Sequence, residues 1–106
     1  MIYQTKNLSL RQAVELICEL TGMEIAQAGA EIVAAGRDGA FTAHADKAVE
    51  IHDDLQWPLP TWGGYVYVPA RFWGFTIRWQ ANELVRWREW AEGVTIPRAA
   101  IERIWG

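Results

Sequence analysis

RFWGFTIRWQANELVRWREW, residues 71–90, interleaves four tryptophans with four arginines in a single run. The folding of this run decides the architecture of the chain, because it holds four of the seven tryptophans available to a core. Its first part alternates: Phe75, Ile77 and Trp79 fall on one side and Thr76, Arg78 and Gln80 on the other, a strand signature. Its second part fits a helical stripe through Leu84, Trp87 and Trp90 or Ala91, with Asn82 as N-cap and Gly93 as stop. The sequence therefore predicts a strand followed by a helix.

Outward toward the C-terminus, Val94 and Ile96 read as a short strand. Pro97 then opens a last helix whose Ala100, Ile101, Ile104 and Trp105 are expected to face inward. Toward the N-terminus, YVYVP is expected to be a strand ending at Pro69, with a short helical turn before Gly74. Pro58, Pro60, Gly63 and Gly64 mark a loop. Val49 and Ile51 extend a strand begun by the alternation of Phe41, Ala43 and Ala45.

The first third reads as two helices. Ser9 and Gln12 have capping-box spacing, Leu10, Val14, Ile17 and Leu20 form one face, and Gly22 stops the helix. A second helix is expected over residues 24–35, with Ile25, Ala28, Ile32 and Ala35 as its stripe. The expected fold is one α+β domain over residues 1–106. It has an N-terminal helical hairpin, a mostly antiparallel sheet of three to four short strands, and two C-terminal helices.

Half the residues are apolar and 22% are charged, as in an ordinary globular domain. The net charge of −3 is uneven. Residues 1–70 hold four basic and nine acidic groups, whereas residues 71–106 hold six arginines and four glutamates. The single cysteine, Cys18, excludes an intramolecular disulfide. The first ten residues lack the basic and apolar segments of a signal peptide, and no apolar run is long enough to span a membrane. A cytoplasmic protein without membrane contact is expected.

The stretches SLRQAVELI, AGAEIVAAGRDGAFTAHA and VTIPRAAIERIWG resemble parts of short uncharacterised proteins of bacterial and prophage origin. That resemblance implies an accessory or mobile-element role and transfers no site residue.

Catalytic and cofactor chemistry find little support in the residues. There is no nucleophile elbow, phosphate loop, zinc-protease helix or paired-cysteine motif. Glu15 and Glu19 lie on a solvated helix face. His44, Asp46 and His52 share a side by parity, but about 26 Å of extended chain separates the two histidines. No metal and no cofactor are expected, and the chain reads as non-enzymatic.

Helix, turn, helix and strand is also the order of a winged-helix DNA binder. The candidate recognition helix, however, offers only Glu24, Gln27 and Glu31 as polar groups, two of which repel phosphate. The arginine-rich half is the better nucleic-acid candidate, through rings that stack on bases. An unidentified protein partner fits the composition better still, since tryptophan and arginine dominate interface hot spots. The surface expected to carry it comprises Trp57, Trp62, Arg71, Trp73, Arg78, Arg86 and Arg88.

Overall fold

A computed structural model describes residues 6–106. The part of the signal-peptide reading that falls on residues 1–5 lies outside the described residues. The element order is β1 (Asn7–Ser9), α1 (Leu10–Thr21), α2 (Ile25–Arg37), β2 (His44–Ala45), β3 (Lys47–His52), β4 (Leu55–Pro58), β5 (Val66–Tyr67), a 3-10 turn (Ala70–Gly74), β6 (Thr76–Arg78), β7 (Glu83–Arg86), β8 (Glu89–Glu92), β9 (Thr95–Pro97) and α3 (Arg98–Trp105). The fold is α+β, with three helices and two antiparallel sheets. One sheet has the order β1-β9-β2-β5 and the other β4-β3-β8-β7-β6.

Helix α1 starts and stops for the reasons read from the sequence, whereas α2 runs two residues past the expected end, through Gly36 to Arg37. The Gln12 amide donates to Ser9 Oγ at 3.2 Å and the Ser9 amide donates to Gln12 Oε1 at 2.9 Å, completing the capping box. Gly22, at φ +77°, closes α1 by donating to the Cys18 carbonyl. After Gly22, Met23 and Glu24, helix α2 begins and packs on α1. At the other end of the chain, Pro97 precedes α3, which buries Ala100 and Ile101. Ile104 stays exposed instead of facing inward, while the half-buried Trp105 indole donates to Glu31 of α2 at 3.2 Å.

The helix expected over residues 82–92 is not there. Those residues form the β7–β8 hairpin, so the described residues hold one C-terminal helix, not two, and nine strands in two sheets, not three or four in one. The same apolar residues serve either period. In the hairpin, Leu84 lies opposite Ala91, and both are fully buried, in a row that continues through Ala48 on β3 and Ile77 on β6. Val85 and Trp90 pair on the other face. Neighbouring strands supply the partners, and burial against them overrides the modest helix propensity of the segment.

Asn82 keeps a capping role but for a different helix. At φ +60° in the β6–β7 turn, its Oδ1 accepts from the Leu10 amide at 2.8 Å, satisfying a free N–H at the start of α1. Its own carbonyl accepts from Val94 at 3.1 Å. One side chain thus ties the start of the chain to the five-stranded sheet, 72 positions away.

Trp73 is the largest fully buried side chain, sitting edge-on to Phe41 with centroids 5.4 Å apart. Its indole lies flat over Gly36 of α2: a methyl group there would meet the ring at 2.5 Å. Gly36→Ala is therefore expected to destabilise by about 1–3 kcal/mol through overpacking, and Trp73→Ala by about 3–5 kcal/mol. Asn82→Gly keeps the backbone but loses the hydrogen bond to the Leu10 amide, for a loss of about 1 kcal/mol. Urea unfolding of the three variants checks these values.

Candidate protein-binding surface

The β3–β4 and β7–β8 hairpins lie side by side, because β3 pairs with β8 in the middle of the five-stranded sheet. Each turns in two residues. Asp53 and Asp54 both have positive φ (52° and 63°), the backbone a tight twisted hairpin demands, and aspartate tolerates it. Trp87 has φ +44° in the other turn, an unusual conformation for a ring-bearing residue. The two turns are tied together: Gln56 Nε2 donates to the Arg88 carbonyl at 2.8 Å, and Arg88 reaches the Asp54 carbonyl at 3.5 Å.

This shared end of the sheet leaves large apolar groups uncovered. Trp87 is 83% exposed, Leu55 57% and Trp57 51%. The Arg88 guanidinium lies 5.4 Å from the Trp87 ring centre. By the two-residue alternation, Trp57, Glu50, Glu89 and Arg86 follow the buried row of Ala48, Ala91 and Leu84, one step nearer the turns on the same face.

Glu50 and Glu89 are like charges on adjacent strands, which is destabilising unless something lies between them. Arg71, from the 3-10 turn, fills that role. Its guanidinium bonds Glu89 closely and Glu50 at 3.3 Å. His52 Nε2 lies 2.8 Å from the second oxygen of Glu50, and the Ile51 amide donates to Glu89 at 3.4 Å. The Arg71 hydrogen bond, supported by the Ile51 amide, holds Glu89 below the usual carboxylate range. The Glu89 hydrogen bond raises Arg71 in turn. The guanidinium also lies 4.9 Å from the Phe72 ring centre and 5.7 Å from that of Phe75, and Arg86 approaches Phe75 to 5.9 Å.

Of the seven residues read from the sequence, four meet here: Trp57, Arg71, Arg86 and Arg88. Trp73 does not belong to any surface, being 1% exposed in the core, so it is removed from the set. The helical turn expected before Gly74 forms, and it swings this ring inward. Arg78 pairs across the sheet with Glu83, at the opposite end of β7 from Arg86. Trp62 is exposed, but on the loop after β4, where it bridges to Tyr65. There Tyr65, Tyr67 and His44 form a ring cluster with centroids 4.4–5.9 Å apart. Trp87 and Leu55 were missed. A helical reading places Trp87 on the buried stripe, whereas the hairpin places it at the turn, and no Asn-Gly pair advertises that turn.

His44 and His52 lie on different sheets, and no group of three metal-ligating side chains occurs among the described residues. No helix among the described residues is long and apolar enough to cross a membrane.

Compared with protein-family models, curated proteins and solved structures, the chain matches none. The similarity to short phage and bacterial proteins therefore gains no support from relatives.

Because Glu89 titrates below its unfolded value, its ion pair contributes stability above the unfolded value. That contribution fades as pH falls through the folded value. Wild type is expected to exceed Glu89→Gln by about 0.5–1 kcal/mol at neutral pH, a modest figure because Arg71 is half exposed. The difference should shrink as pH falls below the usual carboxylate range. Urea midpoints of both proteins from neutral pH downward measure it.

Proposed function

We propose that this chain is a small non-enzymatic accessory, adaptor or inhibitor protein that binds another protein through the paired hairpin turns. One observation carries the reading: Trp87, Trp57 and Leu55 stand uncovered at one end of the sheet, within a frame of Arg71, Arg86, Arg88 and Gln56. Exposing rings of this size to water is costly, and burying each against a partner recovers about 25 cal/mol per Å² of apolar area. The arginine frame supplies polar contacts at the rim. The Gln56 and Arg88 hydrogen bonds hold the two turns to each other before binding, which lowers the ordering cost. A cytoplasmic setting and a phage or mobile-element origin fit this reading as further proposals.

The nucleic-acid reading uses the same end of the sheet, with Arg86 and Arg88 on phosphates and Trp87 stacked on a base. It is weaker because Arg71 is already engaged by Glu50 and Glu89, and Asp53 and Asp54 sit in the neighbouring turn. Carboxylates so close to the site oppose a polyanion.

The test compares wild type with a Trp57→Ser/Trp87→Asn double variant as bait in cell extract. Asparagine is chosen because it accepts positive φ. A protein retained by wild type at moderate salt and lost from the double variant, with an unchanged melting temperature, is the expected result. Fluorescence anisotropy with labelled single- and double-stranded DNA and RNA runs alongside. Saturable binding that weakens steeply with salt would replace this reading by the nucleic-acid one.

A further inference from the structure

The ring cluster of His44, Tyr65 and Tyr67 shares no residue with the hairpin turns and borders a cleft of its own. The cleft measures about 290 Å³ and is lined by His44, Asp46, Tyr65 and Thr95, with Asn7 and Gly93. It sits where the two sheets meet. The pairing of His44 with Thr95 in the small sheet and of Lys47 with Glu92 in the large one keeps a single register, which brings Asp46 beside Gly93. Gly93, at φ +64°, has no Cβ, and a methyl group there would overlap the Asp46 carboxylate. The glycine thus leaves room for that carboxylate at the cleft. Among the described residues Asp46 pairs with no cation, and no lysine or arginine lines the cleft. Tyr65 is held beside it. Gly63 and Gly64, both at positive φ, turn the chain so that Trp62 and Tyr65 bridge. The His44 ring packs 4.4 Å from that of Tyr65, and Tyr67 meets Tyr65 edge-on at 5.9 Å. Tyr65 is still 37% exposed.

We propose that this cleft binds a small alkylammonium ion, with its charged nitrogen between the Asp46 carboxylate and the Tyr65 ring. Two features select a cation. A carboxylate without a cationic partner favours a positive ligand and repels an anion. An aromatic face attracts an ammonium group within about 6 Å of its centre, through the ring quadrupole. A bare metal ion needs several converging ligands, and no group of three metal-ligating side chains occurs among the described residues. The rings reward N-methyl groups instead, which are apolar and carry the positive charge at their surface. The Asn7 amide and the Thr95 hydroxyl, on the same cleft, offer hydrogen bonds to a polar tail. Contact with His44 and Tyr67 fixes the Tyr65 ring before binding, which lowers the ordering cost. The volume admits a molecule of a few carbon atoms and excludes a folded chain.

A nuclear magnetic resonance titration of the isotope-labelled chain tests this, with choline and with dimethylbutanol, its neutral isostere in which carbon replaces the nitrogen. Choline is expected to shift the amides of Asp46, Tyr65, Gly93 and Thr95 saturably, with a Kd of about a millimolar. The isostere keeps the shape and loses the charge, so it should bind about fivefold more weakly. Asp46→Asn should weaken choline about fivefold and leave the isostere unchanged. Tyr65→Leu should weaken choline about threefold. Both side chains are exposed, and an unchanged spectrum away from the cleft shows that each variant is folded. No saturable shift up to about tens of millimolar choline, equal affinity for the isostere, or binding indifferent to Asp46→Asn would each overturn the proposal. Shifts confined to Trp57 and Trp87 would overturn it too. Neither Asp46 nor Tyr65 belongs to the hairpin turns, so this proposal and the protein-binding one fail separately.

Discussion

The Trp73 indole resting on Gly36 is the contact on which the rest of the structure depends. It joins the 3-10 turn to α2, and the turn is one of the links between the small sheet and the large one. Without a Cβ at position 36, the helix backbone itself forms the wall against which the ring lies. With Phe41 meeting the ring edge-on, one side chain organises the helix, the chain that leaves it and the turn beyond β5. The density of protein interiors leaves no room for a substitute of another shape.

From that anchor the 3-10 turn sends its neighbours in different directions. Trp73 and Phe72 go inward, Phe75 stacks on Phe72 at 4.4 Å, and Arg71 points out to the glutamates. The core contact therefore also positions the cation that neutralises Glu50 and Glu89. Packing at Gly36 and electrostatics beside the hairpin turns are consequences of the same five-residue turn.

The exposed rings have a structural origin too. The β3–β4 and β7–β8 hairpins of the five-stranded sheet turn at one end of it, and the molecule measures 44 Å in its longest direction against 28 and 23 Å in the others. Rows near the middle, such as Ala48, Ala91 and Leu84, find the core. The rows nearest the turns do not, and Trp57, Leu55 and Trp87 are left in water. Ile25 is uncovered for a comparable reason, because it is the first residue of α2.

The sequence by itself determined what local chemistry controls: the Ser9 capping box, the Gly22 stop, the body of α2, the helical turn before Gly74 and the Pro97 start of α3. It also placed arginine and tryptophan together, and four of the seven residues picked from that pattern come together beside the hairpin turns. Only the tertiary structure decided the state of residues 82–92, because Leu84, Trp87 and Ala91 satisfy a period of 3.6 as well as an alternation broken by a turn. The presence of β3 as a hydrogen-bonding neighbour for β8 settles the choice. The same holds for Trp73, Trp87 and Asn82. A tryptophan is core or surface according to what lies within contact distance, and Asn82 caps a helix 72 positions away rather than its own segment. Such partners are distant in the chain, and no local spacing records them.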